Sequence, residues 1–111
     1  MDVSDKYRQI VQNILANYVD IKYANGDIHN ETIFDQGMDR YLVMSLGWQR
    51  VKRIHGCLIH IDIIDGKVWI QRDETEYGIA NELVDAGIPK EHILLGFDEP
   101  NVRQHTGFAV A

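Results

Sequence analysis

Apolar residues recur at spacings of three and four near the N-terminus: Tyr7, Ile10, Val11, Ile14, Leu15, Tyr18 and Val19. That period puts them on one stripe and predicts a helix over residues 4–22, with Lys6, Gln9, Gln12, Asn13, Asn17 and Asp20 on the other side. Ser4 suits the N-cap, and Asp5 suits the positive end of the helix dipole. The tetrapeptide Ala24-Asn25-Gly26-Asp27 stops the helix. The pattern then changes to one of strands. Residues 28–35 and 40–47 predict a hairpin joined by Gln36-Gly37-Met38-Asp39. With Asp35 opposite Arg40, Phe34 meets Tyr41 and Ile33 meets Leu42, both productive cross-strand pairs. A third strand is expected over about residues 51–64, where Gly56 suggests a bulge or a close backbone approach.

Asp65-Gly66 lies between two runs rich in β-branched residues. This is a strong hairpin signal, because a type I′ turn needs positive φ at both central positions. The turn sets Ile64 against Lys67, Ile63 against Val68, Asp62 against Trp69, Ile61 against Ile70 and His60 against Gln71. Ile59, Ile61, Ile63, Val68 and Ile70 then share the core face, while His60, Asp62, Trp69 and Gln71 share an outer, at least partly exposed face. Asp73-Glu74-Thr75-Glu76 has the form of a capping box, with Thr75 as an alternative cap, ahead of a helix that buries Ile79, Ala80, Leu83 and Val84. Gly87 suits the C′ position, with Ile88 set to touch Leu83, and Pro89 forbids continuation. Residues 89–93 suit one further turn with Pro89 first. The buried run at 93–97 has no assignable state, and residues 99–111 suggest a short turn and an apolar tail.

The fold class expected is therefore α+β. It comprises an N-terminal helix, a four-stranded antiparallel sheet built from two hairpins, a second helix and a short C-terminal tail. The helices pack on one sheet face, in a single domain over residues 1–111. With 45% apolar and 25% charged residues in 111, the chain has material for a core and no sign of disorder. Its polar, acidic opening is unlike a secretory signal, and no apolar run nears the roughly 20 residues of a membrane span. A single cysteine, Cys57, excludes an internal disulfide. These features fit the cytoplasm and no membrane contact. A net charge of −6 makes the chain a poor binder of phosphates and favours a basic protein partner or plain solubility.

Several groupings suggest chemistry. His55, Cys57, His60 and Asp62 read as metal ligands, but in a regular strand His55 and Cys57 oppose His60 and Asp62. A bulge at Gly56 would still leave Cys57 opposed to His60. The expectation is no metal, with Cys57 in the core and His60 outside. Asp62, Asp73 and Glu76 near Lys67 suggest a metal-dependent nuclease, yet Asp73 and Glu76 fit a helix start and Asp65 a turn. Arg50, Lys52 and Arg53, beside Trp48, are the nucleic-acid-binding candidates, with a solvated strand edge as the plainer reading. His29 and His92 have no identifiable partners. Trp69 on the outer face suggests an interaction surface, unless the tail covers it. Nothing resembles a phosphate-binding glycine loop, a dinucleotide motif or a nucleophile constellation.

Residues 23–28 (YANGDI), 39–48 (DRYLVMSLGW), 51–73 (VKRIHGCLIHIDIIDGKVWIQRD), 75–97 (TEYGIANELVDAGIPKEHILLGF) and 102–111 (VRQHTGFAVA) together resemble the XisI family. These are the cyanobacterial fdxN-element excision controlling factor proteins. The resemblance implies an accessory role in programmed DNA rearrangement, associated with heterocyst formation. A site-specific recombinase performs the strand chemistry, and the companion is XisH, a protein resembling restriction-type nucleases. It implies no catalytic residues and no cofactor, so the chain is not expected to be an enzyme. A toxin–antitoxin-like role, with the XisI protein restraining XisH, is the alternative, and direct DNA binding as a recombinase accessory is another. The partner-binding candidates are His60, Asp62, Trp69 and Gln71 on the hairpin and Phe108 and Val110 in the tail. The exposed sheet face leaves a homodimer open.

Overall fold

The computed structural model describes residues 3–19 and 27–110. The helix α1 spans Val3–Ala16, shorter than the expected 4–22, with residues 17–19 in a turn; of the stop expected at 24–27, residues 24–26 lie outside the described residues and Asp27 opens the first strand. Tyr7, Val11 and Leu15 on its stripe are buried, and Ile10, Ile14 and Tyr18 pack against the same core. The strands β1 (Asp27–Asp35), β2 (Arg40–Gln49), β3 (Lys52–Ile64) and β4 (Lys67–Asp73) form an antiparallel meander. After them come α2 (Ile79–Asp85), a short 3₁₀ turn at Lys90–His92, β5 (Ile93–Leu95) and α3 (Pro100–Arg103).

The sheet has five strands in the order β1-β2-β3-β4-β5, one more than expected, and β5 pairs parallel to β4. A parallel neighbour requires a crossover, which α2 and the 3₁₀ turn supply. Period alone could not assign so short an apolar run. The tail extends the arrangement, since Ala109 bridges Leu94 and its N–H donates to the Ile93 carbonyl. Both α1 and α2 pack against one sheet face. Tyr41, Val43, Ile59, Ile61, Ile63, Val68 and Ile70 line that face, with all but Ile63 fully buried.

The first hairpin has the expected register, from Asp35 opposite Arg40 onward. In the second, Asp65 and Gly66 have φ of 51° and 76°, and pairing follows expectation from Ile64–Lys67 to Ile61–Ile70. There it slips. His60 pairs with Arg72, so Gln71 is a bulge residue. A second bulge falls at Leu58, because Val43 pairs with Ile59 while Met44 pairs with Cys57. Gly56, expected to mark the bulge or a close approach, is regularly paired with Ser45 and has open space around it. The close approach is at Gly47, where a Cβ would stand 1.8 Å from the Asp27 carbonyl oxygen and φ is 145°.

The helix α2 begins later than the capping-box reading allowed. Asp73 accepts from the Thr75 N–H and hydroxyl through one carboxylate oxygen and from the Ile79 N–H through the other. One carboxylate therefore ties the strand end, the connection and the helix start together, and Gly78 rather than Asp73 or Thr75 is the N-cap. At the other end Gly87 donates to Val84 and Ile88 to Leu83, the Schellman pattern, with Ile88 buried as expected.

Asp39 fastens α1 to the sheet. Arg8 holds both its carboxylate oxygens, at 2.7 and 3.0 Å, and the Tyr41 hydroxyl donates to it at 2.8 Å. Its own carbonyl accepts from Ile63 N–H across the sheet. The Arg8 contact holds the Asp39 carboxyl below the ordinary carboxylate range against the opposing effect of burial. Burial, then the bond to Asp39, pushes Tyr41 up to about 12. A second clasp joins the helices, as the Tyr18 hydroxyl donates to Glu82. Buried Asn30 completes the helix side, donating to the Tyr18 carbonyl and accepting from Ser45.

Two outcomes follow from these contacts. Gly47→Ala pushes β1 off β2 and lowers the melting temperature markedly; an unchanged melting curve would contradict the close approach. Asp39→Asn destabilises the protein near neutrality. Because the folded-state pKa is depressed, this contribution is present above the unfolded carboxylate value of roughly 4 and disappears as pH falls through the folded value. Urea midpoints of wild type and variant therefore converge under acid conditions, and a pH-independent gap would contradict the assignment.

Candidate functional site

The side of the sheet away from α1 and α2 carries His60, Asp62 and Trp69 among the residues singled out for binding. Strand alternation sends Ile33, Leu42, Met44, Leu46 and Trp48 to it from β1 and β2, opposite the buried Tyr41–Val43 set. Ile33 and Trp48 are about half exposed, at 52% and 50%.

At one end of this face is a polar network. Asp62, only 6% exposed, is the centre. Its Oδ1 lies 2.8 Å from His60 Nε2 and 3.4 Å from Arg40 Nε, and its Oδ2 accepts from the Gln71 amide at 3.2 Å. Asp62 was expected to be partly exposed; flanking side chains and the bulge at Gln71 cover it instead. The bulge also explains how Gln71 reaches Asp62 although it no longer pairs with His60. Trp69 adjoins the network through its pairing with Asp62, and the Arg103 guanidinium lies 5.4 Å from its ring centroid. The cover on Trp69 thus comes from α3, through a cation–π contact, rather than from the last residues of the tail. Phe108 does not join this group: it packs against the core beneath Lys90. Val110 is 54% exposed near the edge formed by Ala109.

The bulge at Leu58 changes the geometry of the metal-like letters. By pairing, Cys57 sits with Met44 and His60 with Leu42, so His55, Cys57, His60 and Asp62 all lie on the outer face. They still do not converge. His60 is engaged with Asp62, the Cys57 thiol donates to the Ile59 carbonyl at 3.3 Å, and His55 is exposed farther along. Among the described residues no group of three His, Cys, Asp or Glu side chains is arranged to hold a metal ion. Cys57 is half-buried rather than in the core, and burial pushes its thiol up, away from the nucleophilic thiolate. Asp73 is spent on the helix start, so it is not aimed at a site shared with Asp62 and Glu76.

The basic residues occupy the tip of the β2–β3 hairpin. Arg50 is in the turn with φ of 58°, Arg53 pairs with Trp48 on the outer face, and Lys52 pairs with Gln49 on the opposite one. Arg53 lies 5.4 Å from the Trp48 ring centroid. An open depression of about 320 Å³ runs along the adjoining edge from Lys52 to Leu58. The lone histidines also have partners: His29 pairs with Glu31 at 3.2 Å, and His92 hydrogen-bonds the Tyr7 hydroxyl.

The XisI protein family model matches residues 1–110. The chain belongs to the XisI family. A XisI-like protein from Anabaena variabilis ATCC 29413 is 39% identical, superimposes with a TM-score of 0.88, and the match covers 99% of this chain and all of the other. The fdxN element excision controlling factor XisI from the same organism is 35% identical with a TM-score of 0.83, again over 99% and 100% of the two chains. Among curated proteins none matches. No described helix of this XisI-family chain is long and apolar enough to cross a membrane.

The Asp62 network yields a direct test. Asp62→Ala leaves Gln71, His60 and Arg40 without their shared acceptor, and the expected loss is about 1–3 kcal/mol. Urea unfolding followed by tryptophan fluorescence measures it. A midpoint equal to that of wild type would show that the network contributes nothing to folding.

Proposed function

We propose that this chain is a non-catalytic controlling factor for site-specific excision of a DNA element, acting as the protein-binding partner of a XisH-like nuclease-fold protein. Family membership supports the excision role, since a full-length relative is the fdxN element excision controlling factor XisI. The observation that carries the binding reading is Trp69. The ring lies partly exposed on the outer sheet face, with the Arg103 guanidinium over it and the Asp62 network on the neighbouring strand position. A large amphipathic ring held in place loses little further freedom on docking, which is the character of an interface anchor. The charge of −6 suits a basic surface on the companion better than it suits DNA, so the excision site is contacted through other proteins. Restraint of the companion's cleavage, as an antitoxin restrains its toxin, would use the same contact.

Tagged co-purification with the XisH-like protein, at low and high salt, tests this. A stoichiometric complex that salt weakens and that Trp69→Ala weakens by about tenfold or more is the expected result. No complex at either salt concentration, with both proteins folded, overturns it. Retarded migration of DNA that is lost on changing Arg50, Lys52 and Arg53 to Ala would then identify the hairpin tip as the working surface.

A further inference from the structure

The outer face is not uniform along the strands. β4 pairs with β3 only from Ile59 onward, so from Lys52 to Cys57 the paired sheet consists of β1, β2 and β3. Across this three-stranded end the outer face is divided by strand. β1 contributes Asp27, His29 and Glu31, with His29 set against Glu31 at 3.2 Å. The middle strand, β2, contributes an apolar row of Met44, Leu46 and Trp48. β3 contributes Arg53 and His55, both exposed. Among the described residues, no helix packs on this side of the sheet at that end.

With Asp27 on one flank of the apolar row and Arg53 at the same level on the other, the surface is complementary to itself under one rotation. We infer that the outer face of the three-stranded end is the interface of a homodimer, with two copies packed face to face about a twofold axis along β2 near Leu46. That axis lays β2 on β2, burying the apolar rows against each other, and lays β1 of each copy over β3 of the other. Asp27, Trp48 and Arg53 stand at one level across the three strands, so Asp27 of one copy meets Arg53 of the second, twice by symmetry. A twofold axis running across the strands at Leu46 instead sets Asp27 over Glu31 and Arg53 over Cys57, which disfavours it. Packed sheets keep their strands within about 30° of one another, and this small rotation about Leu46 preserves the pairing one level away. The equal widths also argue for a second copy. β2 is the middle of three strands here, so the whole width of one copy is covered by the other. Trp69, β5 and α3 stay outside on each flank, and self-association therefore does not depend on the XisH-like partner.

Sedimentation equilibrium of the purified chain, over a wide concentration range, tests the inference. The wild type is expected to be a dimer and Leu46→Asp a monomer that melts as the wild type does. Asp27→Arg and Arg53→Glu, each alone, weaken the homodimer by on the order of tenfold, because each exchanges two attractions for two repulsions. Mixed in equal amounts, the two charge variants form a heterodimer tighter than either homodimer, since both facing pairs of positions 27 and 53 are then opposite in sign. A wild type that remains monomeric overturns the inference and leaves the face to a different protein. A dimer indifferent to Leu46→Asp and to both reversals also overturns it, because association then uses another surface.

Discussion

Everything else in this molecule is arranged around burying one face of a twisted sheet under two helices. The residues that do so, Tyr41, Val43, Ile59, Ile61, Val68 and Ile70, are all without measurable exposure, and Leu15, Val11 and Leu83 meet them from the helices. Burial of that many apolar side chains is the dominant favourable term. It also fixes direction. Because strand side chains alternate, committing one set to the dry face commits the other set to the opposite side, whatever their chemistry. The outer face is the unavoidable complement of the core.

The alternation could be read from the sequence wherever the strands are regular. The two turns were legible because their chemistry is local: Asp65-Gly66 demands positive φ, and Asp35 to Arg40 leaves few ways to close. The alternation failed at Leu58 and Gln71, where one extra residue shifts the register. Nothing in those side chains announces a bulge, whereas Gly56 seemed to and does not. The consequence was concrete, because the Leu58 bulge moves Cys57 onto the face of His60, and no count of alternating residues could have placed it there.

Other misreadings have the same origin in non-local contacts. Asp73 was expected to cap a helix starting beside it, yet its carboxylate reaches the Ile79 N–H across the intervening connection. β5 is three residues long and exists because β4 offers it an edge. The burial of Asp62 could not be inferred from its own position, since it depends on the Gln71 bulge and on Arg40 from the neighbouring strand. By contrast, the grouping of His60, Asp62, Trp69 and Gln71 was legible, because a hairpin brings its own outer residues together. Phe108 was separated from them by a tail path that no local signal specifies.

The outer face divides its labour along the strands because the sheet changes width. Where β4 and β5 are present, the polar residues satisfy one another around Asp62, and Arg103 from α3 supplies the contact to Trp69 that no helix layer provides. Such internal pairing reduces the cost of leaving polar groups half-buried. Where the sheet narrows to three strands, the exposed Trp48 stands between Asp27 and Arg53, with the Arg53 guanidinium by its ring. An apolar row of that kind on a solvent face is costly unless something covers it. Asp27 on one flanking strand and Arg53 on the other do not cover that row within a single chain, since Trp48 on β2 stands between them. Across a twofold interface between two such faces, Asp27 of one flank would meet Arg53 of the other.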